Sequence, residues 1–363
     1  MATTVNKATY NKAVNTSPFY AVQLRKFATY GLVTMFAVLF LLVYLSPLAN
    51  MFMVAIRSQE QLSQTADSSI FPMGAKKYEY KGKQLPIFKV EIDGVTRELA
   101  QVSATRRSSV FIDPANPEAG EITWEGNWRT LEPVQVMEAH FENFAEAWEL
   151  INFPRLMGNT LFIAVTGMIG TLLSCICVAY AFARFPIPGK NLMFIILLGT
   201  IILPGQVTLI PTYAFFASIK WTGTWLPLIV PHFFANAYNV FLLRQYFLTL
   251  PRELDEAAMI DGAGPFRILL NVIIPQSWAA IISVGVFHFV WSWNDFFGPL
   301  IYLLGQKELQ PVSVGIQVFN FQYGQRPDLI QATSLMAMAI PVIIFFLAQR
   351  VFMRGVVITG VEK

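Results

Sequence analysis

Charge is scarce in this chain. Of its 363 residues, 13% are Asp, Glu, Lys or Arg and 55% are hydrophobic, with a mean hydropathy of +0.49. A soluble globular domain carries about 25% charged residues, so a membrane protein is expected. Cysteine is nearly absent, with only Cys175 and Cys177, inside one apolar run. Side chains two apart on a helix diverge, so the pair forms no local disulfide and reads as packing. Of three histidines, His232 and His288 fall in apolar runs with no third histidine or acid cluster beside them, so no metal site is expected. No Ser-His-Asp or Cys-His arrangement stands out, and catalysis is not expected. The chain also lacks G-x-x-x-x-G-K-[ST], the loop whose backbone cradles nucleotide phosphates, which excludes a P-loop ATPase. Internal repeats, low-complexity tracts and a cleavable signal are not evident, because the first apolar run is too long for a signal core.

What is present is a series of long apolar runs. They cover roughly Phe27–Met53, Leu156–Ala181, Leu192–Ile219, Leu226–Phe247, Trp278–Leu304 and Ile330–Met353, which predicts six membrane spans. Proline punctuates several of them, at Pro204, Pro211, Pro227, Pro231 and Pro341. Each removes a helical hydrogen bond and predicts a kink. Basic residues orient the spans. The N-terminal tail, the Arg184–Lys190 loop, the loop with Arg252 and Arg267, and the C-terminal tail lie on one side and hold 12 Lys or Arg. The opposite short loops hold only Lys220, Lys307 and Arg326. Short basic loops stay inside, so both termini and the 252–275 loop are expected in the cytoplasm.

Residues 57–155 differ from the rest, with 11 basic and 15 acidic residues against 15 and 8 elsewhere. On the orientation above this segment is extracytoplasmic. Phe88, Val90 and Ile92 alternate with polar neighbours before Asp93-Gly94, a two-residue hairpin signal. Further hairpins are expected at Lys81-Gly82 and around Gly126-Asn127, with a loop over Asp113–Pro117. The segment thus reads as a β-rich insertion closing in a helix marked by Phe141, Phe144, Trp148 and Ile151. That helix is expected either along the outer membrane surface, with Trp148 at headgroup level, or beneath the β module.

Two constellations carry the functional reading. The first is the polar segment 252–275, whose Glu256-Ala257-Ala258 lies between Pro251 and Pro265. A short helix is expected from about Glu253 to Asp261, ended by Gly262, which tolerates positive φ. The second is Trp291, Trp293, Asn294 and Asp295. Asp295 is the only acid within an expected span, about 25 Å along the fifth. Aromatic faces and hydrogen-bonding groups suit a sugar, while the plainer reading of Asp295 is a cap or an interhelical hydrogen bond.

Several motifs in register resemble one family. Glu256-Ala257-Ala258 is followed by Asp261-Gly262-Ala263 and then Val272, Ile274 and Pro275. Upstream lie Ala179–Arg184, Val240–Gln245 and Leu250-Pro251; downstream come Trp291–Phe296, Pro299-Leu300, Arg354-Gly355, Gly360 and Lys363. Over about residues 137–363 the set resembles the EAA-bearing, MalG-like permease subunits of carbohydrate ABC importers. The resemblance implies an all-α polytopic membrane protein with the six transmembrane helices of the type I importer permease fold, here with a β-rich extracytoplasmic insertion. It implies a division into a tail (1–26), a first span (27–56), the insertion (57–136) and a permease core (137–363). Glu256, Ala257, Ala258, Asp261 and Gly262 would couple to an ATPase, and Trp291, Trp293, Asn294 and Asp295 would border the pathway. The implied partners are a second permease subunit, two ATP-binding subunits that bind the ATP and Mg, an extracytoplasmic sugar-binding protein and membrane lipids. This chain would bind no cofactor and no nucleic acid, and would sit in a prokaryotic inner membrane. The alternatives are an importer of a non-sugar solute, or a membrane receptor with an outer sensing domain. The receptor leaves the Glu256 segment unexplained.

Overall fold

The computed structural model describes residues 19–63, 70–92, 94–105 and 107–357. The N-terminal tail to Pro18, Asp93 of the expected hairpin turn, Gly360 and Lys363 lie outside the described residues. The chain divides into two units, one ending at Met51 and the other beginning at Phe52. The first is most of α1 (Phe19–Ala55), an apolar helix with Pro47 inside it. Phe40 and Tyr44, one turn apart, stack at 6.3 Å.

The second unit opens with a short helix, α2 (Gln59–Ser63), and the strands of the insertion. These are β1 (Met73–Ala75), β2 (Lys77–Tyr80), β3 (Lys83–Ile92), β4 (Val95–Ala104), β5 (Ser108–Ile112), β6 (Glu121–Glu125), β7 (Glu132–Pro133) and β8 (Gln135–Met137). Strands β2 to β6 form an antiparallel meander; β7 pairs with β3, and β1 with β8. Both two-residue hairpins form as their turn residues dictate. Lys81 and Gly82 have φ of 50° and 74°, and Gly94 has φ of 76° between the paired Ile92 and Val95. The hairpin expected around Gly126-Asn127 does not form. After β6 the chain makes a 3-10 turn at Trp128–Thr130 and returns to β3 through β7, so β6 keeps β5 as its neighbour. The Trp124 ring lies over Gly126, where a Cβ would come within 2.3 Å of it. The sheet is apolar on both faces. Leu85, Ile87, Ala100 and Ile112 pack on one, and Phe88, Val90, Leu99 and Phe111 on the other. Trp124 and Trp128 meet Phe111 and Phe88 edge to face, each at 6.3 Å.

The ends of the insertion are tied together. Asn143 Nδ2 donates to the carbonyls of Ala55 and Arg57 at 2.8 Å, and the His140 N–H donates to Ile56 O. Asn143 belongs to α3 (Glu142–Leu150), the helix expected at the close of this segment. Its Phe144 and Ala147 pack with Ala55, Phe319, Leu329 and Ala332, and not under the β module, while Phe141 and Trp148 stay exposed.

The apolar body follows: α4 (Phe153–Arg184), α5 (Lys190–Ile202), α6 (Gly205–Ser218), α7 (Leu226–Ile229), α8 (Ala237–Thr249), α9 (Glu253–Ile260), α10 (Pro265–Ile268), α11 (Ile274–Gln276), α12 (Trp278–Trp293), α13 (Phe297–Tyr302), α14 (Val312–Gly315), α15 (Val318–Phe321) and α16 (Pro327–Val357). Helix α4 is central and packs against α8 and α12. Its buried Ala164, Gly167, Thr171, Cys175, Ala179 and Ala183 recur every three to four residues, and small side chains allow close helix approach. Cys177 is exposed while Cys175 is buried, as their two-residue spacing requires.

Among the described residues, α1, α4, the run Leu226–Thr249 and α16 are each long and apolar enough to cross a membrane. Residues 190–202 with 207–218, and 265–276 with 278–293, are bent by 99° and 83°, and bring the number to six if each pair is one span. The third run, expected as one span kinked by its prolines, is therefore two helices. Pro204 disfavours helical backbone at Leu203, which is extended at φ −69° and ψ 118°. The fifth run ends early as well: α12 stops at Trp293, and α13 resumes after a break at Asn294–Phe296.

Candidate functional site

The segment with Glu256 folds into α9 because local signals agree at both ends. Glu253, Asp255 and Glu256 place negative charge in its first turn, where unsatisfied backbone N–H groups point. At its C-terminus the Gly262 N–H donates to Met259 O at 3.0 Å, and the Ala263 N–H donates to Ala258 O at 2.9 Å. Those two bonds with Gly262 at φ +78° make a Schellman cap, and a left-handed residue there favours glycine. Gly264 and Pro265 then start α10. A π-helical stretch, Leu269–Ile273, leads through α11 into the 83° bend before α12.

The faces of α9 differ. Glu256, Ala257, Asp261 and Gly262 are exposed. Ala258 is half-buried against a core that includes Tyr180, Leu243, Phe247 and Ile268. Around the exposed face, Met259, Ile260 and Phe266 are 59%, 86% and 69% exposed, so a polar residue, Glu256, sits among bare apolar ones. Exposed apolar side chains bordered by charged ones, as a polar rim borders an interface core, have the composition of a protein interface.

The opposite face is anchored. Asp255 is buried, and its Oδ2 lies 2.9 Å from Nε of Arg184, in the last turn of α4; both side chains are more than nine-tenths buried. Arg184 Nη2 also donates to Leu250 O at 3.1 Å, and Tyr180 OH, one turn earlier, donates to Pro265 O at 3.3 Å. Burial pushes the Asp255 carboxyl above the ordinary aspartate value, against the pull of Arg184 and Arg252. Arg244 stacks its guanidinium 4.1 Å from the Phe194 ring centroid on the adjoining α5.

The second constellation separates in the structure. Trp291 and Asp295 line a cavity of about 270 Å³ together with Thr160, Thr212, His232 and Tyr302. Trp293 instead turns into the bundle against Ala164 and Phe289, which removes it as a stacking face. Asn294 is spent locally, its Nδ2 donating to Val290 O at 2.8 Å. The Asp295 carboxylate accepts from the Gly298 N–H at 3.2 Å, in the first turn of α13, and Ser313 Oγ donates to Asp295 O at 2.7 Å. Asp295 is thus a helix cap and a cavity wall at once. His232 and His288 meet, ring centroids 4.7 Å apart, with His288 Nε2 3.2 Å from Thr171 Oγ1. Among the described residues no three His, Cys, Asp or Glu side chains group to hold a metal.

Comparison with known proteins bears on the chain as a whole. Residues 170–357 match the family model described as the inner membrane component of binding-protein-dependent transport systems. The osmoprotective compounds uptake permease protein GgtD of Synechocystis is 32% identical over 259 residues, covering 70% of this chain and 86% of that protein. The chain belongs to this family. A binding-protein-dependent transport component of this kind is a multi-pass membrane permease. The alpha-glucoside transport system permease protein AglG of Rhizobium meliloti is 30% identical, over 61% of this chain and 60% of its own. A chain from the crystal structure of a bacterial ABC transporter involved in import of the acidic polysaccharide alginate superposes with a TM-score of 0.61 at 20% identity. That superposition covers 92% of this chain and 99% of the other, a likeness in fold.

For this permease, sequence reasoning missed Asp255 as a buried anchor, Arg184 as its partner, and the bare Met259, Ile260 and Phe266. One signal was available: on a helix with Ala258 turned inward, Asp255 three residues earlier shares that face.

Proposed function

We propose that this chain is one of two permease subunits of an ATP-driven importer for a sugar or oligosaccharide, and forms half of the translocation pathway. The observation that carries this is α9: a helix capped at Gly262, presenting Glu256 and Ala257 to solvent and fastened by its other face to α4. A knob with this construction can accept a push from a soluble partner, and ATP hydrolysis is assigned to that partner. The partners proposed are a second permease, two ATP-binding subunits holding ATP and Mg, and an extracytoplasmic sugar-binding protein. Glu256, Ala257, Asp261 and Gly262 form the contact to the ATPase, with half-buried Ala258 behind them against the core. Six spans result if each bent pair counts as one, and the excess of basic residues supports a cytoplasmic position for both termini and α9. The 57–136 insertion is then extracytoplasmic, and the 137–363 core carries transport.

Trp291 and Asp295 are the proposed pathway residues, since they face the cavity. The sugar assignment is supported by relatives such as AglG, named for alpha-glucoside transport. A second reading, import of a non-sugar solute, is supported by GgtD, named for osmoprotective compounds. Purification of the tagged chain with its associated subunits, followed by ATPase assays with a panel of sugars and osmolytes, separates the two. The expected result is an ATPase that co-purifies and is stimulated by a sugar; recovery of the chain alone would sink the assignment. In the same system Glu256→Lys is expected to abolish uptake while the chain stays in the membrane. Asp295→Asn keeps an acceptor for the Gly298 N–H and removes the charge; uptake at the unsubstituted level would remove that charge from the pathway.

A further inference from the structure

Two residues in the last two turns of α4 make side-chain hydrogen bonds and an ion pair that fasten the α9 segment to it. Arg184 takes the carbonyl of Leu250 at the entry and Asp255 in the first turn, and Tyr180 takes the carbonyl of Pro265 at the exit. Tyr180 and Arg184 are four apart and share a helix face, so this grip comes from one side of one helix. Beside this grip, half-buried Ala258 and, beyond the cap of α9, Ala263 pack against the core.

The ion pair is poorly built for stability. At 2.9 Å the charges are close, yet neither Arg184 Nε nor Asp255 Oδ1 has a properly directed hydrogen-bond partner. Burying two charges with polar atoms left over costs more than an apolar pair of similar volume. Such a pair fixes orientation instead, since each charge is matched by the other at that place.

Motion of α9 has two routes to the membrane body. The covalent one runs through α10, the π-helical stretch 269–273 and the 83° bend before α12, a path with several breaks. The other is α4, unbroken over 32 residues or about 48 Å. Near its far end Asn159 Nδ2 donates to the carbonyls of Glu308 and Gln310, at 2.9 Å each. Thr160 Oγ1 accepts from the Val312 N–H at 2.9 Å and lines the cavity. We infer that Arg184 and Asp255 are positioning residues that join α9 to α4, so that displacement of α9 reaches the cavity wall through α4.

This inference rests on the proposed coupling role of α9, and its test separates the two. The complete importer is reconstituted in vesicles, and sugar uptake and ATP hydrolysis are measured together for Asp255→Asn, Arg184→Lys, the exchange Arg184→Asp with Asp255→Arg, and Glu256→Lys. For Asp255→Asn we expect subunits that still co-purify and sugar moved per ATP lowered by about fivefold to a hundredfold, the range of ordinary coupling energies. The exchange pair is expected to recover part of that ratio, which a packing defect would not. Should Asp255→Asn fail to accumulate, Arg184→Lys keeps the charge and loses the fork, and the same ratio is expected to fall. An unchanged ratio in Asp255→Asn or Arg184→Lys alongside a dead Glu256→Lys overturns the joint alone. Loss of the ATPase subunits from Asp255→Asn assigns the pair to docking and also overturns it. Normal uptake in Glu256→Lys instead overturns the coupling role of α9.

Discussion

Arg326 shows how much one side chain holds in this body. Its Nε donates to both oxygens of Asp328, at 3.1 and 3.0 Å, and Nη1 and Nη2 reach the two oxygens of Glu146 on α3 at 3.0 and 3.2 Å. These bonds, first to Asp328 and then to Glu146, raise the guanidinium pKa further above its ordinary value. Asp328 is fully buried, so Arg326→Gln would leave a buried carboxylate without its counter-charge. The expected loss is about 3–5 kcal/mol, read as a lowered unfolding temperature of the purified protein. None of this was legible in the sequence, where Arg326 was merely a basic residue in a short outer loop. Asp255 was hidden likewise: an acid in a polar segment reads as solvated until the facing helix is known. Trp293 and Asn294 could not be told from Trp291 and Asp295 either, because a break at residue 294 decides which of the four faces the cavity.

At the scale of elements, local chemistry was readable and long-range pairing was not. Helix α9 and the hairpins at Lys81-Gly82 and Gly94 follow from residues within a few positions of one another. Gly262 is the sharpest case, because its φ of +78° is one that other L-residues adopt only at a cost of about 1–2 kcal/mol. Proline cannot adopt it at all and would also delete the N–H bonded to Met259 O. Gly262→Pro is therefore expected to unravel the end of α9 and sharply reduce uptake while the chain remains in the membrane, measured by transport beside membrane fractionation. The hairpin around Gly126-Asn127 failed for the converse reason: β7 finds its partner in β3, about forty residues upstream, and no turn signal reports that. The prolines in the apolar runs announced bends, but the 99° turn at Leu203-Pro204 could be sized only from the folded chain.

For the whole molecule, the insertion is a module with joined ends. Its apolar clusters draw on its own strands and loops, while Asn143 and His140 hold its exit against the carbonyls of Ala55, Ile56 and Arg57. Residues 60–137 should therefore be replaceable by a short glycine-serine linker, since the remaining chain ends already lie side by side. The shortened protein is expected to integrate into membranes and to co-purify with the proposed ATPase, measured by fractionation and pull-down; failure to integrate would mean that the body needs the module in order to fold.

Composition and the run of apolar segments determined by themselves that this is a membrane protein, and the basic residues of its short loops supply the expected orientation, because transfer free energies add along a chain whatever its neighbours do. The α9 segment and two hairpins were determined locally for a similar reason, as turn and cap geometry involves only adjacent backbone. Which charges are buried, which face of each helix meets another, and how far each proline bends its helix were decided by tertiary structure. Those outcomes depend on residues tens to hundreds of positions apart, as between Arg184 and Asp255 or Glu146 and Arg326, and burial turns an ordinary surface charge into an anchor only once both partners are in place.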